Sequence, residues 1–165
     1  MNKTMLDPDE CFAASLQHAA PMSFIIPTAS YTHRVLVVSS EGQSYALFVD
    51  GPPDFRFHFL ECADRWAGLH VPDVRIELDP ASIVFTDGQW PPLGSLTRHG
   101  ENLNVQTSRL DRRSGGFSVA MTIMSGLPTG DGHEKACFSR WQIVVGEGDK
   151  KRVLHEVQAD IPEAL

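Results

Sequence analysis

Seven histidines occur in the 165 residues, and His58, His70 and His99 stand with Glu61 in a stretch crowded with turn signals. Imidazole nitrogens and a carboxylate are the donors used by zinc and iron sites, and a β-barrel can collect them from separate strands. These four residues, with Asn102 in support, define one chemical reading: a metal-dependent enzyme built on a small β-barrel and holding Zn or Fe. Short spacings of this kind arise by chance, and a solvent-facing or hydrogen-bonded histidine is the plainer role at each position. Gly130-Asp131-Gly132-His133-Glu134 has the outline of a cation loop. It lacks the regularly spaced oxygen ligands and closing glutamate of an EF-hand, and Asp-Gly is a common turn dipeptide, so a hairpin loop is expected there.

Nucleophile signals are thin. The chain has no Gly-x-Ser-x-Gly elbow, no phosphate-cradling Gly-x-x-x-x-Gly-Lys and no strand leading into Gly-x-Gly-x-x-Gly. Cys62 neighbours Glu61 and Asp64, whose charges oppose the thiolate that catalysis needs. Cys137 falls on an apolar strand face, where cysteine acts as a small hydrophobe, and Cys11 falls within an expected helix.

A second reading uses the aromatic residues and needs no cofactor. Phe55, Phe57, Phe59, Met121, Ile123 and Trp141 can line a barrel interior, with Arg56, His58 and Arg140 at its rim. Ligand cavities are mostly apolar with a few placed polar groups, so Arg56, His58, Met121, Arg140 and Trp141 are the candidate ligand-binding residues. The competing role for the same stripe is a packed core, the normal state of a protein interior.

Positioning either set falls to β-strands. Arg34–Val38 and Tyr45–Val49 are continuous apolar runs, the pattern of strands covered on both faces. Val74, Ile76 and Leu78 alternate with Arg75 and Glu77, and Phe117 to Ile123 alternates in the same way. Further extended segments are expected at Phe55–Leu60, Ser82–Phe85, Ser95–Arg98, Leu103–Thr107, Cys137–Val145 and Arg152–Gln158. A helix is expected from Pro8 to His18, because Asp7, Pro8 and Glu10 make a capping box with proline at the first helical position. One or two helical turns are expected over Glu61–Ala67. The expectation is one mainly β domain over residues 1–165, an antiparallel barrel or two-sheet sandwich of nine or ten strands. It carries a short N-terminal helix and one short mid-chain helical segment, with frayed ends at 1–6 and 160–165.

Composition narrows the function classes. The formal charge is −7, with 14 basic residues against 21 acidic ones, and the basic clusters near Arg112 and Lys151 are diluted by acids. Phosphate recognition depends on concentrated Lys and Arg, so neither nucleic acid nor an anionic membrane is an expected partner. Three cysteines make an odd count without metal-ligand spacing, and the acidic start is unlike a secretory leader. Cytoplasmic residence is the resulting expectation. The leading functional expectation is a non-enzymatic binding domain that holds a small apolar ligand or a protein partner. A homo-oligomer is a third expectation, motivated by Phe138 and Val144 on the strand side opposite Trp141.

Overall fold

A computed structural model describes residues 12–15, 20–27, 33–40, 43–52, 56–61, 67–99, 102–109, 117–122, 128–129 and 136–161. In chain order the strands begin with β1 (Phe12–Ser15), β2 (Phe24–Pro27), β3 (Val35–Ser40), β4 (Gln43–Phe48) and β5 (His58–Glu61). Next come β6 (Ala67–Val71), β7 (Arg75–Leu78), β8 (Ile83–Phe85), β9 (Leu96–His99) and β10 (Asn102–Arg109). The last five are β11 (Phe117–Thr122), β12 (Pro128–Thr129), β13 (Ala136–Phe138), β14 (Arg140–Val145) and β15 (Arg152–Gln158). The only helical elements among the described residues are single 3-10 turns at Pro80–Ser82 and Gly148–Lys150.

The protein is mainly antiparallel β, as expected, and of the two anticipated architectures it is the sandwich. β15-β14-β7 form one small sheet, and the other twelve strands form a second hydrogen-bonded system. That larger system divides where β5 meets the end of β10 in a parallel pairing, His58 opposite Ser108. On one side run β1-β6-β2-β3-β4-β5, and on the other β10-β9-β13-β8, with β11 and β12 added to β10. The path ends at β1 and β8 and does not close on itself among the described residues.

Burial on both faces explains the continuous apolar runs. Leu36 and Val38 sit opposite Leu47 and Tyr45 and face the main core with Phe24, Phe59, Trp141, Ile143 and Val157. Val35 and Val37 sit opposite Phe48 and Ala46 and, with Ile25, form a second buried cluster on the other face. Each fully buried Leu, Ile or Phe contributes about 1.5–3 kcal/mol relative to exposure, so a strand buried on both faces gains nearly twice what a half-exposed strand does.

Three expectations require correction. Phe12–Ser15 is a strand paired with β6, Phe12 opposite His70 and Ser15 opposite Ala67, where a helix was expected; residues 8–11 and 16–18 of that helix lie outside the described residues. Edge-to-edge pairing outweighs a local capping signal, which supplies only about 0.5–2 kcal/mol. Cys137–Val145 is not one strand: Ser139 is a bend, and the halves join different sheets. The anticipated oligomer face made by Phe138 and Val144 is not exposed, because Val144 is fully buried and Phe138 packs on the main core. The helical turns anticipated over Glu61–Ala67 lie largely outside the described residues, with Glu61 closing β5 and Ala67 opening β6. Of the ends expected to fray, 1–6 and 162–165 lie outside the described residues, whereas Asp160 is held in place, its N–H donating to the Leu93 carbonyl and its carboxylate pairing with Arg56.

Candidate interaction surface

The register does not assemble the histidine set. His70 lies opposite Ile25, Ile25 opposite Val35, and Val35 opposite Phe48. Leu47 opposite Phe59 then brings Phe48 level with His58. His70 and His58 thus occupy one row with β2, β3 and β4 between them, roughly 19 Å of sheet at ~4.8 Å per strand step. His99 lies opposite Asn102 and His58 opposite Ser108 on β10, roughly 20 Å apart along that strand at ~3.3 Å per residue. Glu61 continues β5 beyond His58, further still from His99. No group of three or more His, Cys, Asp or Glu side chains among the described residues is placed to hold a metal ion.

Three of the aromatic-set residues come together as core, while Phe55 and Ile123 lie outside the described residues. Phe57, Phe59 and Trp141 are buried in one cluster, and the Trp141 Nε1–H donates to the Gly94 carbonyl at 2.7 Å. Gly94 adopts φ +82° with the Phe57 ring against its Cα, a position where a side chain has no room. The Arg56 guanidinium lies 5.4 Å from the centre of the Phe57 ring and pairs with Asp160. The Asp160 N–H in turn donates to the Leu93 carbonyl at 2.8 Å. Arg56 and Trp141 are therefore joined through Phe57 and Gly94, and Arg140 points to the outer face of the small sheet. His58 Nδ1 is 3.3 Å from the Arg56 carbonyl. Met121 lies on β11 opposite Val105, and its side chain lies outside the described residues.

What sequence reasoning missed is the surface built by a bent ribbon. β7 pairs with β14, Leu78 opposite Trp141, and β8 pairs with β13, Ile83 opposite Phe138. The same two chain segments thus serve both sheets and change between them at Ser82 and Ser139. Asp79 starts the change by accepting from the Ala81 N–H at 2.9 Å, with Pro80 preset for the 3-10 turn. The Ser82 hydroxyl donates to the Asp79 carbonyl at 2.7 Å and accepts from the Arg140 N–H at 3.0 Å. The Ser139 N–H and hydroxyl both donate to the Ser82 carbonyl at 3.0 Å.

Beyond this bend, β8 is the outermost strand of its sheet among the described residues. Phe85 is 72% exposed and Ile83 45%, while Val84 between them is half-buried. Ile83 shares a shallow hollow of about 300 Å³ with Ile161, Arg140 and Gln158. A larger groove of about 510 Å³ adjoins it over the small sheet, lined by Glu77, Asp79, Arg140, Gln142, Glu156 and Gln158 among others. Its polar lining is largely committed to internal pairs: Arg140 to Asp79 at 2.9 Å, Lys151 to Glu77 at 2.5 Å, and Gln142 to Glu156 at 3.0 Å. The edges of the small sheet carry Arg75 and Glu77 on β7, and Arg152 and Glu156 on β15, the charges that discourage edge pairing. β8 carries none.

Burial shifts two titratable groups, Cys137 and His155. Burial pushes the Cys137 thiol up, partly offset by a hydrogen bond with Ser95, which makes it a poor nucleophile. His155 is held below its ordinary value, first by burial and further by the Arg34 guanidinium, against a backbone hydrogen bond at Val49 and the carboxylates of Asp50 and Glu156. Its Nδ1 is 3.0 Å from an Arg34 nitrogen and its Nε2 is 3.2 Å from the Val49 carbonyl. Arg34 can only donate, so Nδ1 accepts and Nε2 carries the proton.

Fold and surface define the class: an open, two-sheet antiparallel β protein whose distinguishing feature is an apolar edge strand. The chain belongs to the y4lG family, whose model, described as "Uncharacterised protein y4lG", matches residues 13–165. It is 40% identical over 163 residues to the protein of that description from Sinorhizobium fredii (strain NBRC 101917 / NGR234), with 97% of each chain covered. No solved structure matches it significantly. Among the described residues no helix is long and apolar enough to cross a membrane.

Proposed function

We propose that this chain is a non-enzymatic interaction domain that receives an extended segment of another polypeptide along the open edge of β8. The observation that carries this reading is Phe85, 72% exposed at the edge of a sheet. An edge strand offers unpaired amide and carbonyl groups, and β-strand addition combines those with side-chain contacts at alternate positions. Ile83 and Phe85 provide such contacts on one side of the strand. A protein partner is favoured over a small apolar ligand because Phe57, Phe59 and Trp141, three of the aromatic side chains expected to line a cavity, are packed together in the core. It is favoured over a metal-dependent enzyme because His58, His70 and His99 are held on distant parts of the sheet system. Cytoplasmic residence belongs to the same reading, since a reducing compartment suits an odd cysteine count.

The test is site-specific photo-crosslinking in cells, with a benzophenone amino acid replacing Phe85 and, as control, Asp149 in the exposed turn before β15. The expected result is a discrete polypeptide adduct from position 85 and none from position 149. Equal labelling at both positions, or no adduct at 85, would overturn the proposal.

A further inference from the structure

We infer that His155 is a proton-operated latch between the two layers of the fold: its neutral ring fastens β15 to the β2–β3–β4 layer, and taking up a proton releases it. Ile143 lies opposite His155 and Val144 opposite Val153, so Leu154 is an extra residue, a β-bulge on β15. Bulges re-aim side chains, and this one leaves His155 on the inner side of the small sheet, level with Ile143 of the main core. There it reaches three parts of the larger system. Its ring stacks on Phe24 of β2, with centroids 6.1 Å apart and planes 23° from parallel. Its Nε2–H donates to the Val49 carbonyl just after β4 at 3.2 Å, and its Nδ1 accepts from Arg34 Nη1 just before β3 at 3.0 Å.

One proton undoes this arrangement. A protonated imidazole has two N–H donors and no acceptor, so Nδ1 then faces the Arg34 guanidinium donor to donor and charge to charge. Arg34 has an alternative partner: its Nε lies 3.8 Å from Asp50 Oδ2, and its backbone N–H already donates to Asp50 Oδ1 at 2.5 Å. Arg34 therefore turns to Asp50 while the imidazolium leaves toward solvent, uncovering the fully buried Phe24 ring. The charged groups acting on the imidazole are Arg34, Asp50 and Glu156; Phe24 and the Val49 carbonyl bring no charge. Burial and Arg34 oppose protonation, so the latch stays shut at neutral pH and opens below the ordinary histidine range. β15 keeps its ladder on β14, so the opening is a side-chain event within a folded chain.

The experiment is an NMR titration of the full chain from about pH 8 to about pH 4. It follows the His155 Cε1–H, assigned by its absence from His155→Gln, together with the ring protons of Phe24. Both are expected to move with one shared midpoint, and the Phe24 step is expected to vanish in His155→Gln. Arg34→Met removes the opposing cation and should raise the proton affinity of His155 at least about threefold. Asp50→Asn removes the attracting carboxylate and should lower it by about a similar factor. Arg34→Lys keeps the charge and should fall closer to wild type than Arg34→Met does. Arg34 and Asp50 are both partly exposed, and circular dichroism recorded through the titration verifies that each protein stays folded. Should one variant fail to fold, the joint titration of His155 and Phe24 in wild type still decides. Phe24 protons that ignore the His155 midpoint would overturn the inference. So would Arg34→Met and Asp50→Asn shifts of the same sign or of zero, or a Phe24 step seen only when dichroism is lost.

Discussion

Replacing Gly94 with alanine tests the link between core packing and the bond that orients Trp141. The backbone there has φ +82°, and an added Cβ would lie 2.2 Å from Cζ of Phe57 and 2.3 and 2.5 Å from its two Cε atoms. Phe57 cannot retreat easily: it is fully buried, and its own φ is +62°. Left-handed backbone costs an alanine about 1–2 kcal/mol, and forcing an overpacked ring aside costs about 1–3 kcal/mol more. The sum is about 2–5 kcal/mol, or a melting temperature lower by roughly 4–20 °C for a chain of this size. Gly88→Ala is the matched control, since Gly88 has φ +81° with nothing within 4 Å of an added Cβ, so it loses the strain alone. Urea unfolding followed by tryptophan emission measures both variants. A Gly94→Ala loss no larger than that of Gly88→Ala would refute the claimed contact between Gly94 and Phe57.

Trp141→Phe leaves the Gly94 carbonyl without its donor and is expected to cost about 1–3 kcal/mol; an unchanged urea midpoint would contradict this. Acid sensitivity follows from His155. Because folding lowers its pKa, the unfolded chain takes up the proton first. The stabilisation is complete above about pH 6.5 and is lost as pH falls through the lower value held in the folded state. His155→Gln should flatten the stability profile between about pH 7.5 and 5, and an identical slope in both proteins would exclude His155 as the source. The Cys137 thiol, buried and pushed upward, should react with a thiol reagent only on unfolding. Comparing wild type with Cys137→Ala isolates its signal, and rapid native-state modification would contradict the burial.

The strands were legible wherever alternation or a double-sided apolar run left no choice. Arg75-Ile76-Glu77-Leu78 forms β7, and the two runs either side of Gly42 pair as β3 and β4 with Val38 opposite Tyr45. Phe12–Ser15 misled because a capping signal is local, whereas the strand depends on β6, more than fifty residues further on. The bend at Ser139 was hidden because apolar residues continue through it, and only the hydrogen bonds to Ser82 reveal the change of sheet. Of the candidate residues, Arg56 and Trp141 are joined through Phe57 and Gly94, a contact made by a buried left-handed phenylalanine that no periodicity marks. The β8 surface was not legible at all. Ile83-Val84-Phe85 alternates by size but not by polarity, and burial of Ile83 and Phe85 would be the natural reading.

The bend at Ser82 and Ser139 constrains how the molecule can open. Since one pair of segments contributes β8 and β13 to the large system and β7 and β14 to the small sheet, peeling either layer away drags the other's hydrogen bonds with it. Partial unfolding that spares one layer is thereby disfavoured, and slow amide exchange in β13 and β14 should report a single opening free energy. The layers rise and fall together, a cooperativity written into two serine hydroxyls.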